Sequence, residues 1–112
     1  MATLEQCMTA LGGFVGRLAA SDGARGLDRS VSCRLTDLAQ VVHGRLAVGQ
    51  VHAMTAEPDG PQVPRADIRL TMTSDDLLAL TGGSLAFGPA WASGRVKLEA
   101  GLRDMLRLRS LL

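Results

Sequence analysis

The side chains able to do chemistry are few in this chain, and they are scattered. His43 and His52 are its two imidazoles, Cys7 and Cys33 its two thiols. A metal site needs three or four such ligands at short, ordered spacings. The chain has no CxxC, and the histidines lack a third ligand at a workable distance, so neither metal nor cofactor is expected. A nucleophilic pair, Cys33 with His43 or His52, would require thiol and imidazole to meet in space. Cys33 instead falls in the apolar phase of an alternating segment and the histidines fall out of theirs. That pattern suits an inert buried thiol and hydrogen-bonded or exposed imidazoles. Asp75 and Asp76 are paired carboxylates, but they follow Thr73-Ser74 at a helix start, where the helix dipole accounts for them. Gly12-Gly13 and Gly82-Gly83 lack the spacing of a phosphate-cradling loop. Arg69, Arg95 and Lys97 could meet a carboxylate or phosphate. Alternation places them opposite the apolar faces of their strands, on a solvated sheet face. No catalytic constellation assembles from this inventory, so a non-enzymatic protein is expected.

The elements that must position these residues follow from periodicity. Thr3-Leu4-Glu5-Gln6 fits a capping box. Leu4, Met8, Leu11, Val15 and Leu18 then recur at helical spacing, which predicts a helix over about 3–20 with Ser21-Asp22-Gly23 as its stop. The period then falls to two. Val31, Cys33 and Leu35 alternate with polar neighbours, as do Val42, Gly44 and Leu46. A third run, Val51, Ala53 and Thr55, alternates with His52, Met54 and Ala56, and Gly49-Gln50 joins the second and third runs as a hairpin. Residues 57–64, EPDGPQVP, form a loop. A strand over 66–73 carries Ile68, Leu70 and Met72 on one face. A helix follows from Thr73 to Gly82-Gly83, then a short helix over about 84–92, a strand over 95–100 and a final helix over 102–112. Hairpin-spaced strands first and helices clustered late predict an α+β fold with a five-stranded, mainly antiparallel sheet.

Composition narrows the functional classes. The 112 residues, 46% of them hydrophobic and 21% charged, suit one domain over 1–112. A formal charge of +1 gives no reason to expect a polyanion, so nucleic acid is not an expected partner. No apolar run reaches the roughly 18–20 residues of a membrane span, so no stable membrane insertion is expected. The start MATLEQCMTALGG shows no signal peptide, so both thiols are expected to be reduced and the protein cytoplasmic. All the basic residues except Lys97 are arginine, which reads as the coding bias of a GC-rich bacterium. Phe14, Phe87 and Trp91 are the only aromatic residues. Leu, Val, Ala and Met must fill the interior, which makes a compliant core.

The stretch from Ala66 to Leu112 resembles the second half of the sterol carrier protein type 2 domain family. The resemblance rests on Ala66-Asp67-Ile68, Asp76-Leu77-Leu78, Gly82-Gly83, Gly94-Arg95-Val96-Lys97-Leu98 and Gly101 through Leu108. Ala24-Arg25-Gly26-Leu27 extends it to about residues 24–112. Leu102 stands where the family usually carries a polar residue, and the C-terminus lacks a Ser-Lys-Leu type peroxisomal address. The resemblance implies a sheet with helices packed on one side, enclosing an apolar tunnel for a fatty acyl chain, acyl-CoA, sterol or similar lipid. Such a tunnel needs apolar walls and few polar groups. The candidate tunnel-lining residues on the strands are Met54, Ile68, Leu70, Met72, Val96 and Leu98. Those on or beside the helices are Leu77, Leu80, Leu85, Phe87, Trp91, Met105 and Leu106. Phe87 and Trp91, in a Gly- and Pro-punctuated segment that a lid could use, are the strongest ligand contacts. The expected function is therefore binding, and transfer, of a hydrophobic small molecule. The alternative is a ligand-free interaction module with a collapsed tunnel, acting as a homodimer or serving a partner enzyme.

Overall fold

The computed structural model describes residues 2–19, 28–47, 50–103 and 105–106. Helix α1, Leu4–Ala19, begins where the capping box puts it. The Gln6 N–H donates to Thr3 Oγ1 at 3.1 Å, and the Thr3 N–H donates to Gln6 Oε1 at 2.9 Å. Two of the donors that a helix start leaves without partners are thereby satisfied. Cys7 and Leu11 are buried on the inward face, with Leu4 and Met8 half-buried beside them. The expected stop at 21–23 and the 24–27 motif lie outside the described residues.

The sheet comprises β1 Arg29–Leu35, β2 Gln40–Ala47, β3 Gln50–Pro58, β4 Ile68–Met72 and β5 Lys97–Ala100. Their spatial order is β3-β2-β1-β4-β5. β1 pairs with β4 in parallel, and the other neighbouring pairs are antiparallel. The α+β class and mainly antiparallel sheet expected from the pattern are what the chain forms, with one parallel pair making it mixed. β3 runs to Pro58, so residues 57 and 58 belong to a strand and not to the expected loop. β4 and β5 are shorter than expected, because Thr73 is taken by a helix cap and Gly94 turns the chain at φ 84°. The hairpin residues 48–49 are outside the described set, but Ala47 pairs with Gln50 across them.

Register assigns the two sheet faces. Val31 pairs with Gly44 and Ile68, Cys33 with Val42 and Leu70, and Leu35 with Met72. Leu70 in turn pairs with Leu98. These residues form the inner face, against which α1 packs over β2 and β3. One strand departs from simple alternation. The register of β2 against β3 shifts between His43 and Arg45, and Ala53 there has φ 55°. The extra residue of this bulge reverses the phase. Ala53 and Thr55 are exposed, whereas Met54 and Ala56 pack on the core. Uniform alternation would have grouped Ala53 and Thr55 with Val51.

β3 ends at Pro58 on the far edge, in register with Gln40, while β4 must start beside Val31 at the other end of β1. Residues 59–67 therefore cross the outer face as a diagonal strap. It is fastened at both ends. The Asp59 N–H donates to the Ala39 carbonyl at 2.9 Å, and Asp59 Oδ2 meets Arg34 Nε at 3.0 Å. At the far end the Ser30 N–H donates to Asp67 Oδ2 at 3.1 Å, and the Asp67 N–H donates to Ser30 Oγ at 2.8 Å. Under the strap Val41, an outer-face residue, is only 2% exposed.

Helix α2, Ser74–Gly82, starts on Thr73, whose hydroxyl accepts from the Asp76 N–H at 3.2 Å, and stops on Gly83 at φ 87°. That left-handed conformation is open to glycine at little cost, which explains the Gly82-Gly83 stop. Helix α3, Phe87–Ala92, tolerates Pro89 because a first-turn N–H needs no partner. Residues 102, 103, 105 and 106 are helical, consistent with the start of the expected last helix, and 107–112 fall outside the described residues.

Candidate functional site

The expected tunnel walls divide into three groups. Ile68, Leu70, Met72, Leu77, Leu80, Val96 and Leu98 are buried in one core cluster. Met54, Leu85, Phe87, Trp91 and Met105 are half-buried and packed against that cluster. Leu106 is 61% exposed and Leu102, one turn earlier, 79%. Consecutive helical residues point about 100° apart, so the inward position held by Met105 turns Leu106 outward.

Phe87 and Trp91, one turn apart on α3, have ring centroids 6.0 Å apart and planes tilted by 46°. This lies within the range of favourable aromatic pairs. α3 reaches the base of the core through Ala90, which is 1% exposed. The helix is one and a half turns long, and its N-cap, Ala86, offers no side-chain hydrogen bond.

The inner face also carries an apolar crevice that the expected wall residues did not outline. It lies between α1, β1, β2 and β3, lined by Leu11, Val31, Val42, Leu46 and Met54 together with residues 43–45. Its origin is Gly44. In the alternation Val42-Gly44-Leu46 an inward position carries no side chain, and the bulge at Ala53 brings Met54 opposite it. Gly44 is not among the positive-φ glycines, so backbone conformation does not require it. Gly12 of α1 faces the same Met54: a Cβ there would sit 3.7 Å from Met54 Sδ. Two glycines thus flank one flexible thioether. The crevice holds about 10 Å³, the space of roughly one water, whereas small-molecule pockets run to roughly 300–1,000 Å³. Glycine in the apolar phase of a strand was the available sequence signal for it.

The chemical side chains do not converge here. Cys7 and Cys33 are free and fully buried. Burial, reinforced by the neighbouring Cys7, pushes the Cys33 thiol up to about 12. Burial also raises Cys7, with the charges of Asp37 and Asp75 adding to it. Cys33 faces inward, whereas His43 faces outward and bonds Glu57 Oε2 at 3.1 Å, so the sheet separates that thiol from that imidazole. His52 pairs in register with Arg45. Of the cations considered from sequence, Arg95 meets Asp76 Oδ1 at 2.5 Å, and Arg69 donates to the Ala66 carbonyl at 2.8 Å. Lys97 is exposed. Among the described residues no group of three or more His, Cys, Asp and Glu could hold a metal ion, and no helix is long and apolar enough to cross a membrane.

The architecture is that of sterol carrier protein 2. The chain superposes on a crystal structure of that protein with a TM-score of 0.62 at 17% identity, covering 95% of this chain and 90% of that one. The palmitated sterol-carrier-like protein SCP2L2 of Aedes aegypti gives 0.61 at 19% identity, over 98% and 94% of the two chains. The stereoselective inverting sec-alkylsulfatase Pisa1 of Pseudomonas sp. gives 0.59 at 22% identity over 91% of this chain, which spans only 16% of the sulfatase. No protein-family model and no curated protein sequence matches.

Proposed function

We propose that this chain is a single lipid-binding domain that shelters a fatty acyl chain, acyl-CoA, sterol or similar hydrophobe between its helices and the inner face of its sheet, without catalysing a reaction. The observation that carries the reading is the Gly44 crevice, an apolar gap between α1 and the sheet whose movable wall is Met54. The shared architecture with a palmitated protein supports the ligand class. Binding would widen the crevice by displacing α1 and Met54, and the other half-buried residues packed on the core, Met8, Phe14, Phe87 and Trp91, leave the helical layer room to give. Each methylene removed from water contributes about 0.8 kcal/mol, and specificity would come from the shape of the widened space.

The test is native mass spectrometry after incubation with palmitate, an acyl-CoA and a sterol. The wild type is expected to carry one added lipid mass. Gly44→Val, whose isopropyl group would occupy part of the widened space, should displace two or three ligand methylenes, about 2 kcal/mol or roughly 30-fold in affinity. An unchanged apo mass with all three probes would overturn the proposal. It would favour a second reading, an interaction module that serves an enzyme, which the occurrence of this fold within a sulfatase chain supports.

A further inference from the structure

The outer face of the sheet carries a second concavity, separated from the crevice by the sheet itself. Beneath the strap lies a groove of about 360 Å³, within the size range of small-molecule sites. Its floor is made by two neighbouring parallel strands. Ser32 of β1 pairs with Arg69 of β4, and Arg34 with Thr71. Two arginines and two hydroxyl residues therefore alternate around one small patch of the outer face, with the Arg69 guanidinium turned toward Ala66 and Glu99 and that of Arg34 toward Asp59. Arg65, in the strap, adds a third guanidinium from the side. A further cleft of about 370 Å³ adjoins it and shares Arg65, Ala66 and Arg69.

Charge and hydrogen bonding give the groove a polarity. Arg34 is held by Asp59 and Arg69 faces Glu99 at 3.7 Å, but Arg34 and Glu99 are 52% and 65% exposed. Their partners Asp59 and Arg69 are 33% and 25% exposed, so each pair is half open to solvent, where ion pairs are weak and an incoming anion can compete. The Arg69–Glu99 separation exceeds hydrogen-bond length, and no ion pair engages Arg65 among the described residues. The groove thus presents the Arg65 guanidinium, the remaining donors of Arg34 and of Arg69 (which gives one N–H to the Ala66 carbonyl at 2.8 Å), and two hydroxyls, with Glu99 as the acidic group in its wall. A carboxylate offers two acceptor oxygens, and a phosphate more, so the donor set matches phosphate better. We propose that this groove binds a small soluble organic phosphate, held between the strap and the β1–β4 floor. A concave site roofed by a strap admits a free molecule and disfavours a flat lipid surface.

The probe is pyrophosphate, titrated into isotopically labelled full-length protein at constant ionic strength and followed by amide chemical shifts. The expected result is saturable shifts at Ser32, Arg34, Arg69 and Thr71. Arg69→Gln should weaken binding at least tenfold, the loss expected for a hydrogen bond to a charged group. Arg65→Gln, in the exposed strap and away from the β-ladder, should weaken it in the same direction and keeps the test valid if Arg69→Gln unfolds. Arg45→Gln removes an outer-face charge that pairs with Asp28 outside the groove, and should leave affinity unchanged. Equal losses in all three variants would mean diffuse attraction and overturn the proposal. So would non-saturating shifts, or binding to phosphatidylglycerol vesicles without binding to pyrophosphate. None of these outcomes bears on lipid binding at the opposite face.

Discussion

Ser74 joins three parts of the chain that are distant in sequence. Its hydroxyl donates to Asp37 Oδ2 and accepts from the Ala2 N–H at 3.3 Å, while its own N–H donates to Asp37 Oδ1 at 2.8 Å. The start of α1, the β1–β2 turn and the start of α2 are thereby tied at a residue with no exposed surface. Desolvation opposes ionisation of Asp37, but the hydrogen bonds from Ser74 outweigh it and hold the carboxyl below its ordinary range. Asp67, which receives the backbone and hydroxyl bonds of Ser30, is lowered in the same direction. A carboxyl whose folded pKa lies below its unfolded value stabilises the fold fully above the unfolded value, near pH 4, and loses that contribution as pH falls through the folded value. Urea unfolding should therefore show wild type more stable than Asp37→Asn and Asp67→Asn at about pH 7, with the difference shrinking toward about pH 3. A difference that stayed constant with pH would refute the assignment. The sequence placed Ser74 only at a helix start. Its link to Asp37 spans 37 residues and follows from the parallel pairing of β1 with β4, which no local pattern encodes.

At the scale of elements, most of the architecture was readable because each element carried its own punctuation. The Thr3/Gln6 box, the Thr73 cap, the Gly83 stop and the alternation of β1, β2 and β4 each specify local geometry. What could not be read was the bulge at Ala53, since alanine gives no sign of a positive φ, and with it the phase of Met54. The crevice was hidden for the same reason: its lining depends on which β3 residues face Gly44. The strap was read as a loop, but its path across the sheet is fixed by strand order and not by composition. Gly12 tests how closely α1 and β3 meet. A methyl group added there would make ordinary contact with Met54 at 3.7 Å, without a clash. It would also remove a mid-helix glycine, worth about 1 kcal/mol. Gly12→Ala should thus raise the unfolding free energy by up to about 1 kcal/mol, measured by urea denaturation. A destabilised variant would show that the helix sits closer to the sheet than this geometry requires.

The molecule as a whole is a sheet covered on both sides by unlike layers, and this asymmetry predicts where it opens. β1 is the central strand, hydrogen-bonded to β2 and β4, with Cys33 and Leu35 buried on the inner face and Ser32 buried on the outer. The layer above the inner face is looser. α3 is six residues long, and Met8, Phe14, Met54, Phe87 and Trp91 are only partly buried. Elements with fewer buried contacts open at lower free energy than the global transition. In native-state hydrogen exchange, the amides of Cys33 and Leu35 should therefore exchange only through global unfolding. Those of α1 and α3 should exchange by smaller openings with weaker dependence on denaturant. If those openings are the route by which lipid enters, saturating palmitate must slow exchange in α1 and α3, because lipid held beneath the shifted but still hydrogen-bonded helices stabilises that bound form by RT ln(1 + [L]/Kd). At a hundredfold excess over Kd that is about 2.7 kcal/mol, or roughly a hundredfold in exchange rate. Pyrophosphate, acting on the other side of the sheet, should instead slow exchange in the strap and leave α3 unaffected. Uniform protection of α1 and β1 before ligand is added would mean that the helical layer does not open separately. The crevice would then be a packing fault in a closed core, and the route for lipid would be lost with it.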